Sequence, residues 1–391
     1  MENTEENLFV SVRGRVLINV EALNMAESVG NYVKHRRVPV ISPVTYATYF
    51  VPAISGESIA HGYQKALVEE AKNNEEFKNK ICNLCKEGIF LKSTNNKVIL
   101  DAFDITNWEI NSEADLERAI ISNCIVEDIG GFLYAPGQEK LEKDEKEKLK
   151  NAGLLDDKGS KFGNVKRTSN FFTGYMIPAQ EALDSVIIEP QLHSRYALGT
   201  PFVGKGAQGQ MIYYVELSSA PYVFSFDLDT KYINKLTFHY KSAGELAQEG
   251  GNERQARIEI SLDSLKNFLI DMMFGAKKTR FLPIVDWESL VIAISDDIWT
   301  ISSPLTANYI MNTLKKLDKI NNKTELFVYI NPAIFEGSTT SITQKYKGVK
   351  DELGKKEKEE VIHLYEHFEE CVIESIKRAK ERVKSREKGK G

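Results

Sequence analysis

Apolar and polar positions alternate along this chain in stretches that predict its elements. Phe9–Val20 (FVSVRGRVLINV) is rich in β-branched residues and reads as a strand. Asn24–Arg37 is polar and carries Gly30, so it reads as a loop. Val38–Val51 is extended again, but Pro39 and Pro43 confine it to an edge strand or a hairpin. From Ser55 to Ala71 the period changes to that of a helix. Ser55 is a capping residue, Glu57 suits a first turn, and Ile59, Tyr63, Ala66 and Leu67 share one face. Strand patterns return at Thr168–Ala179 and over the longer run Met211–Leu228 (MIYYVELSSAPYVFSFDL). A second amphipathic helix is expected over Ser261–Phe274, with Leu262, Leu265, Leu269 and Met272 as its stripe and Gly275 as its stop. Trp287–Ser295 reads as a strand. Val361–Lys380 reads as a helix that presents Val361, Leu364, Tyr365, Phe368, Val372 and Ile376 on one face.

The resulting core order is β-α-β-β-α-β, the ferredoxin-like or RRM-like plan of an α+β fold. Glu75–Lys166 interrupts it as an insertion. Within that insertion Glu139–Lys150 alternates five acidic with five basic residues, the mark of a solvated helix or a loop rather than a site.

Composition places the chain among soluble globular proteins: 391 residues, 42% hydrophobic, 27% charged and a formal net charge of −5. Apolar runs such as Leu290–Ile294 are too short to span a bilayer, and the acidic Met1–Asn7 is followed by no signal-peptide core, so no membrane association is expected. Four irregularly placed cysteines fit a reducing, cytoplasmic setting. Mild overall acidity does not exclude nucleic acid, because an RNA backbone feels local patches, and the basic residues cluster. From Lys377 to Gly391 a local charge of +6 also accumulates.

Several motifs fail the context their chemistry needs. Gly204–Gly209 spells G-x-G-x-x-G, yet a strand follows it where a dinucleotide site needs a helix. Cys82 and Cys85 form a C-x-x-C without a second pair, and Cys124 or Cys371 would complete it only by accident of folding. His363, His367 and Cys371 recur every four residues but lie beside the apolar stripe. No cofactor, metal or catalytic residue is therefore expected.

Four polar clusters carry more information. They are Asn24, Ser28, Asn31, Lys34, His35, Arg36 and Arg37; Ser55, Gly56, Ser58 and His61 at a helix start; Lys166, Arg167 and Thr168; and Lys277, Lys278 and Arg280. Together they combine cations, small residues and a helix N-terminus, the groups that track phosphates.

The segments NVEALNMAESVGNYVKHRR, VPAISGESIAHGYQKAL, DIGGFLYA, KRTSNFFTGYMIPA and GAKKTRFLP resemble signatures of the DevR-like crRNA-backbone subunits of type I CRISPR effectors, most similar to the archaeal I-A branch. The resemblance spans roughly residues 10–300. It implies a ferredoxin-like or RRM-like palm built from 8–74 and 166–300, a helical fingers insertion over 75–165 and a β-hairpin thumb at about 188–213 with His193 and Arg195. A C-terminal extension with a basic helical tail would occupy 301–391. It further implies a non-catalytic protein that binds crRNA, stacks on copies of itself in a helical filament, joins other Cascade subunits and meets target nucleic acid through guide pairing. The rival readings are a related RAMP-type subunit that cleaves target RNA and a stand-alone RRM-like RNA-binding protein. Cleavage in the former relies on an aspartate in the loop after the first strand; Leu23–Arg37 contains Glu27 but no Asp.

Overall fold

The computed structural model describes residues 7–137, 139–196, 210–248, 252–320, 324–333 and 361–388. In chain order the elements are β1 (Phe9–Glu21), β2 (Met25–Val29), β3 (Tyr32–His35), β4 (Arg37–Ile41), β5 (Thr48–Pro52), α1 (Gly56–Lys72), α2 (Asn83–Lys86), α3 (Asn96–Ala102), α4 (Glu113–Asn123) and α5 (Ile125–Gly130). There follow β6 (Phe132–Tyr134), α6 (Lys143–Asn151), β7 (Leu155–Asp156), β8 (Gly159–Ser160), β9 (Val165–Arg167), β10 (Phe171–Thr173), β11 (Ile188–Tyr196) and β12 (Gln210–Asp229). The last are α7 (Glu253–Ile270), β13 (Ile284–Ser295), α8 (Tyr309–Lys319), β14 (Glu325–Ile330), β15 (Ile362–Tyr365) and α9 (Phe368–Lys388).

A nine-stranded sheet organises the molecule. At its centre β13, β1, β12 and β10 lie side by side with every neighbour antiparallel. Helices α1 and α7 fall between these strands in sequence and pack on each other against one face of the sheet. Their shared core gathers Tyr63 of α1 with Phe171, Phe226 and Phe268, ring centroids 4.8 to 5.9 Å from the tyrosine. β13 shows why its sequence is continuously apolar. Leu290, Ile292 and Ile294 of β13 face this core, while Val291 and Ala293 face a second core under α8 with Trp299, Tyr309 and Leu314. Both faces are covered, so the period-2 pattern vanishes from the sequence.

Among the described residues β12 is the longest strand, 20 residues. Its second half pairs with β1 and β10; its first half runs beyond β1 and carries β11 along one edge and β3 along the other. The β11–β12 pairing is an antiparallel hairpin from Ile188↔Ser218 to Tyr196↔Gln210. Gly204–Gly209, within the span expected to form the thumb, lies outside the described residues.

Three expectations need correction. Asn24–Arg37 is not a loop but the β2–β3 hairpin plus the start of β4; exposure of β2 on both faces left no alternation to read. The second helix begins at Glu253 and ends at Ile270, because Glu253 and Arg257 are buried charges that break the apolar stripe. Val361–Lys380 is not one helix: Ile362–Tyr365 forms a strand parallel to β14, and α9 starts only at Phe368. The region beyond residue 300 is therefore no appendage. β14 and β15 widen the main sheet, and Cys371, Val372, Ile376, Ala379 and Val383 of α9 enter the main core.

The basic end of the chain is likewise internal in its chemistry. Arg378 pairs with Glu325 at 2.8 Å, Lys380 with Asp263 at 2.7 Å, Lys384 with Glu259 at 3.3 Å, and Arg382 with Asp296. Those cations clamp α9 onto α7 and the sheet.

Candidate nucleic-acid interface

The N–H groups in the first turn of α1 have no partner within the helix. Ser55 caps it, its hydroxyl accepting from the Ser58 amide at 3.3 Å. Asn24 holds the cap: its side-chain oxygen accepts from the Ser55 amide at 3.1 Å, and its carbonyl accepts from the Arg36 amide at 2.9 Å. The Arg36 carbonyl in turn accepts from Ala53 at 3.0 Å. Three segments distant in sequence are thus stitched around one helix start.

The turn after α7 joins them. Ala276 donates to the Leu23 carbonyl at 2.8 Å. A Cβ on Gly275, whose φ is +88°, would fall 2.6 Å from Leu23, and one on Gly62 would fall 2.4 Å from the Met273 carbonyl. Only glycine permits this approach. It sets Lys277 and Arg280, both exposed, beside α1, with Lys278 half-buried and donating to the Met272 carbonyl. Phe281 ends the turn edge-on to His193, which stacks on Tyr213 at 5.2 Å. An aromatic step on the β11–β12 hairpin therefore borders the cationic turn.

Electrostatically the face is unbalanced. Arg36, Lys65, Lys277 and Arg280 have no ion-pair partner among the described residues. Arg36 Nε is buried without a hydrogen bond. Burial, opposed by Asp271 and reinforced by the charge of Lys65, holds Lys278 below its ordinary pKa. Burial and then Lys65 do the same to His61. A bound anion would oppose both the burial and the Lys65 charge by favouring the protonated forms. Glu57, the acid nearest, is kept below the usual carboxylate range by its own backbone N–H and the Ser55 hydroxyl, with Arg36 adding to both.

The sequence-predicted residues divide sharply. Asn24, Arg36, Ser55, Gly56, Ser58, His61, Lys277, Lys278 and Arg280 lie in or directly support this face, and His193 borders it. Ser28 and Asn31 are exposed on the β2–β3 hairpin, where Asn31 donates to the Ile212 carbonyl at 2.8 Å. Lys34 and Arg37 are already paired, with Glu27 at 3.4 Å and Glu216 at 3.0 Å. The Arg195 side chain lies outside the described residues. Lys166 and Thr168 are exposed on and just after β9, but only their neighbour Ser169 reaches the α1 start, in a groove with Gly56, Glu57 and Gly130.

Two predicted contacts are corrected outright. His35 is buried: Nε2 meets Glu21 at 2.5 Å and Nδ1 meets the Arg36 carbonyl at 3.0 Å. Both neighbours only accept, so the ring is a doubly protonated imidazolium with no nitrogen left for a ligand. Burial works against that charge but is outweighed by the hydrogen bond and charge of Glu21, and the pKa is raised. Arg167 is also buried, bound to Glu117 at 3.0 Å, to Asp128, and to the carbonyls of Tyr232 and Lys235 at 2.7 Å. Along β9, Val165 and Arg167 face inward and Lys166 outward, so strand alternation divides the adjacent basic pair.

Sequence reasoning missed Lys65 and Tyr213. Lys65 stands four residues after His61 on α1, a spacing that puts both on one helix face. The fold also overturns the expectation that Cys82 and Cys85 stand alone, since Cys124 and Glu127 converge on them. His363, His367 and Cys371 do not share a helix face, because His363 belongs to β15.

A family model described as "CRISPR-associated negative auto-regulator DevR/Csa2" matches residues 12–314. A Saccharolobus solfataricus protein named "CRISPR-associated protein Cas7/Csa2 1" is 33% identical over 336 residues, covering 84% of this chain and 91% of the relative. Another from that organism, "CRISPR-associated aCascade subunit Cas7/Csa2 2", is 31% identical over 337 residues, covering 84% and 94%. Among solved structures, a chain titled "CRISPR RNA-guided surveillance complex" aligns at a TM-score of 0.43 and 7% identity, over 95% of this chain and 99% of that one. A pre-nicking form of such a complex gives 0.45 at 7% identity, over 95% and 100%. The two structural likenesses are too loose to carry functional weight.

Proposed function

The chain belongs to the DevR/Csa2 family of CRISPR-associated proteins, and on that premise we propose that it is a non-catalytic, crRNA-binding subunit of a Cascade-type effector complex. In this reading β13, β1, β12 and β10 with α1 and α7 are a ferredoxin-like palm, the segment from α2 to β9 is the fingers, and β11–β12 is the thumb. The RNA backbone lies across the start of α1. One observation carries the proposal: Arg36 beside the capped start of α1, Lys65 farther along that helix, and Lys277 and Arg280 in the turn packed on it have no ion-pair partner among the described residues, whereas Lys377, Arg378, Lys380, Arg382 and Lys384 of α9 are all paired. Phosphates supply the missing anions.

Copies of the chain, in the same reading, line up along the guide and meet other subunits of the complex, while target recognition is left to base pairing. The β4–β5 hairpin supports this role. It leaves Ile41, Val44, Tyr46 and Phe50 between 62% and 82% exposed, an apolar surface suited to a neighbouring copy.

The test is the salt dependence of single-stranded RNA binding across unrelated sequences. Neutralising about five phosphates gives a log–log slope of roughly −3.5. Replacing Arg36, Lys65 and Arg280 by alanine is expected to flatten it by about 2, near 0.7 for each lost contact. Retention of the full slope places the RNA elsewhere. A nuclease reading has less support, since the one credible histidine pair, His35 and His61, is dismantled by the burial of His35. Site-specific cleavage of guide or complementary RNA on prolonged incubation with Mg²⁺ or Mn²⁺ would overturn the non-catalytic assignment.

A further inference from the structure

The insertion between α1 and β9 hides a cluster that RNA binding does not use. Cys82, Cys85 and Cys124 are free thiols, and with Glu127 they place one ligand atom each within 4.8 Å of one another. All four residues are 4% exposed or less. We propose that they form a structural site for a thiophilic divalent cation, zinc by preference, with three sulfur ligands and one oxygen.

The chemistry of the set points to a metal. Buried cysteines alone are ordinary small hydrophobes. A buried carboxylate aimed at three sulfurs is not ordinary, because its charge needs hydrogen bonds or a cation. Glu127 Oε2 accepts from the Ser93 amide at 2.9 Å, while Oε1 faces the Cys82 sulfur at 3.9 Å, too distant for a strong bond. Lys92 lies nearby, but its ammonium donates to the Gly131 carbonyl at 3.1 Å. One carboxylate oxygen therefore points into the sulfur cluster without an adequate partner there.

The geometry is close to what zinc requires. Tetrahedral sulfurs about 2.3 Å from zinc lie about 3.8 Å apart, so the cluster needs to contract by at most about 1 Å. Cys82 and Cys85 sit at the start of α2, where the Cys85 amide already donates to the Cys82 sulfur at 3.4 Å. A bond of that kind favours a thiolate. Cys124 lies at the junction of α4 and α5, one turn before Glu127. On binding, each thiol releases its proton to solvent, and the ion, with the Lys92 ammonium close by, offsets the negative charge of the ligands.

The site would tie together the two halves of the insertion where it joins the palm. Ile125 donates to the Lys80 carbonyl at 2.9 Å, and the Lys80 side chain pairs with Glu253 of α7 at 2.5 Å. Asp128, one residue beyond the glutamate, anchors Arg167 and Arg257.

The full chain, purified under reducing conditions and stripped with a chelator, is to be titrated with Zn²⁺ and separately with Co²⁺. Native mass spectrometry is expected to show one zinc per chain, and cobalt to give a thiolate charge-transfer band. Alkylation is expected to be suppressed at Cys82, Cys85 and Cys124 in the zinc-loaded form and unchanged at Cys371. C82S/C124S is expected to lose the equivalent, C371S to keep it and E127Q to weaken it at least tenfold. The proposal fails if the wild-type chain takes up neither metal, if two of its three cluster thiols prove joined in a disulfide, or if C82S/C124S binds zinc like the wild type. The wild-type titration and alkylation pattern decide the matter even if the double variant does not fold.

Discussion

Single positions in this protein show how poorly residue type alone reports role. Arg36 and Arg167 are both arginines within basic pairs, yet one is unpaired on the candidate RNA face and the other is buried among Glu117, Asp128 and two carbonyls. Nothing in the letters separates them; the separation comes from strand alternation and from acids about 40 and 50 residues away. Arg167→Ala leaves two buried carboxylates short of a partner, so it is expected to cost about 3–5 kcal/mol in a denaturant melt. Arg36→Ala is expected to change stability little and to act on the salt slope instead. His35 gives a second prediction. Its folded pKa is raised, so its contribution is complete below the unfolded value of about 6.5 and is lost as pH rises through the folded value. Wild-type stability is thus expected to fall above about pH 6.5 relative to His35→Gln, compared by urea melts at several pH values. An unchanged difference between the two proteins across that range would leave the ring uncharged in the fold.

At the scale of elements, legibility followed exposure. α1 was readable to within one residue because a polar cap precedes a helical apolar stripe. α7 was not, because Arg257 is fully buried and satisfied by Glu253 and Asp128, and a buried charge looks polar in a sequence. Val361, Leu364, Tyr365 and Phe368 have helical spacing by coincidence, since the first three flank or belong to β15, whose partner is β14. α9 has its own consequence. Burial opposes ionisation of Glu325, but His363, Arg378 and Arg382 prevail and bring its pKa down to about 2. A depressed carboxylate contributes stability that is present above its unfolded pKa, about 4.3, and lost as pH falls toward the folded value. Amide exchange in α9 is therefore expected to accelerate between pH 4 and 2 in the wild type, and already at neutral pH in Glu325→Gln. Equal protection of α9 in both proteins would mean that its apolar face alone holds it.

For the molecule as a whole, the β-α-β-β-α-β order could be read from the sequence, because its strands are rich in β-branched and aromatic residues and the exposed part of each helix keeps a helical period. The assembly of the candidate site could not, since it depends on Leu23, Gly62 and Gly275 as spacers, residues with no chemistry of their own to announce them. The exposed β4–β5 hairpin yields a prediction at this scale. Tyr46→Asp with Phe50→Asp is expected to reduce cooperativity on long RNA severalfold, read as Hill slope or as copies bound per length, while affinity for a short oligonucleotide stays within twofold. Equal losses on both substrates would assign the hairpin to RNA contact rather than to contact between copies.

β12 belongs to the central sheet and to the β11–β12 arm at once, running through both as one continuous strand. A beam of this construction has a fixed reach, and the reach changes only in discrete steps. Side chains alternate faces, so inserting one residue in each of β11 and β12 beyond Ser218 would turn Tyr213 and His193 to the opposite side. Inserting two in each would preserve their facing and carry the tip outward by roughly 7 Å. If the arm spaces contacts along RNA as proposed, family members with a different spacing are accordingly expected to differ in arm length by even numbers of residues per strand.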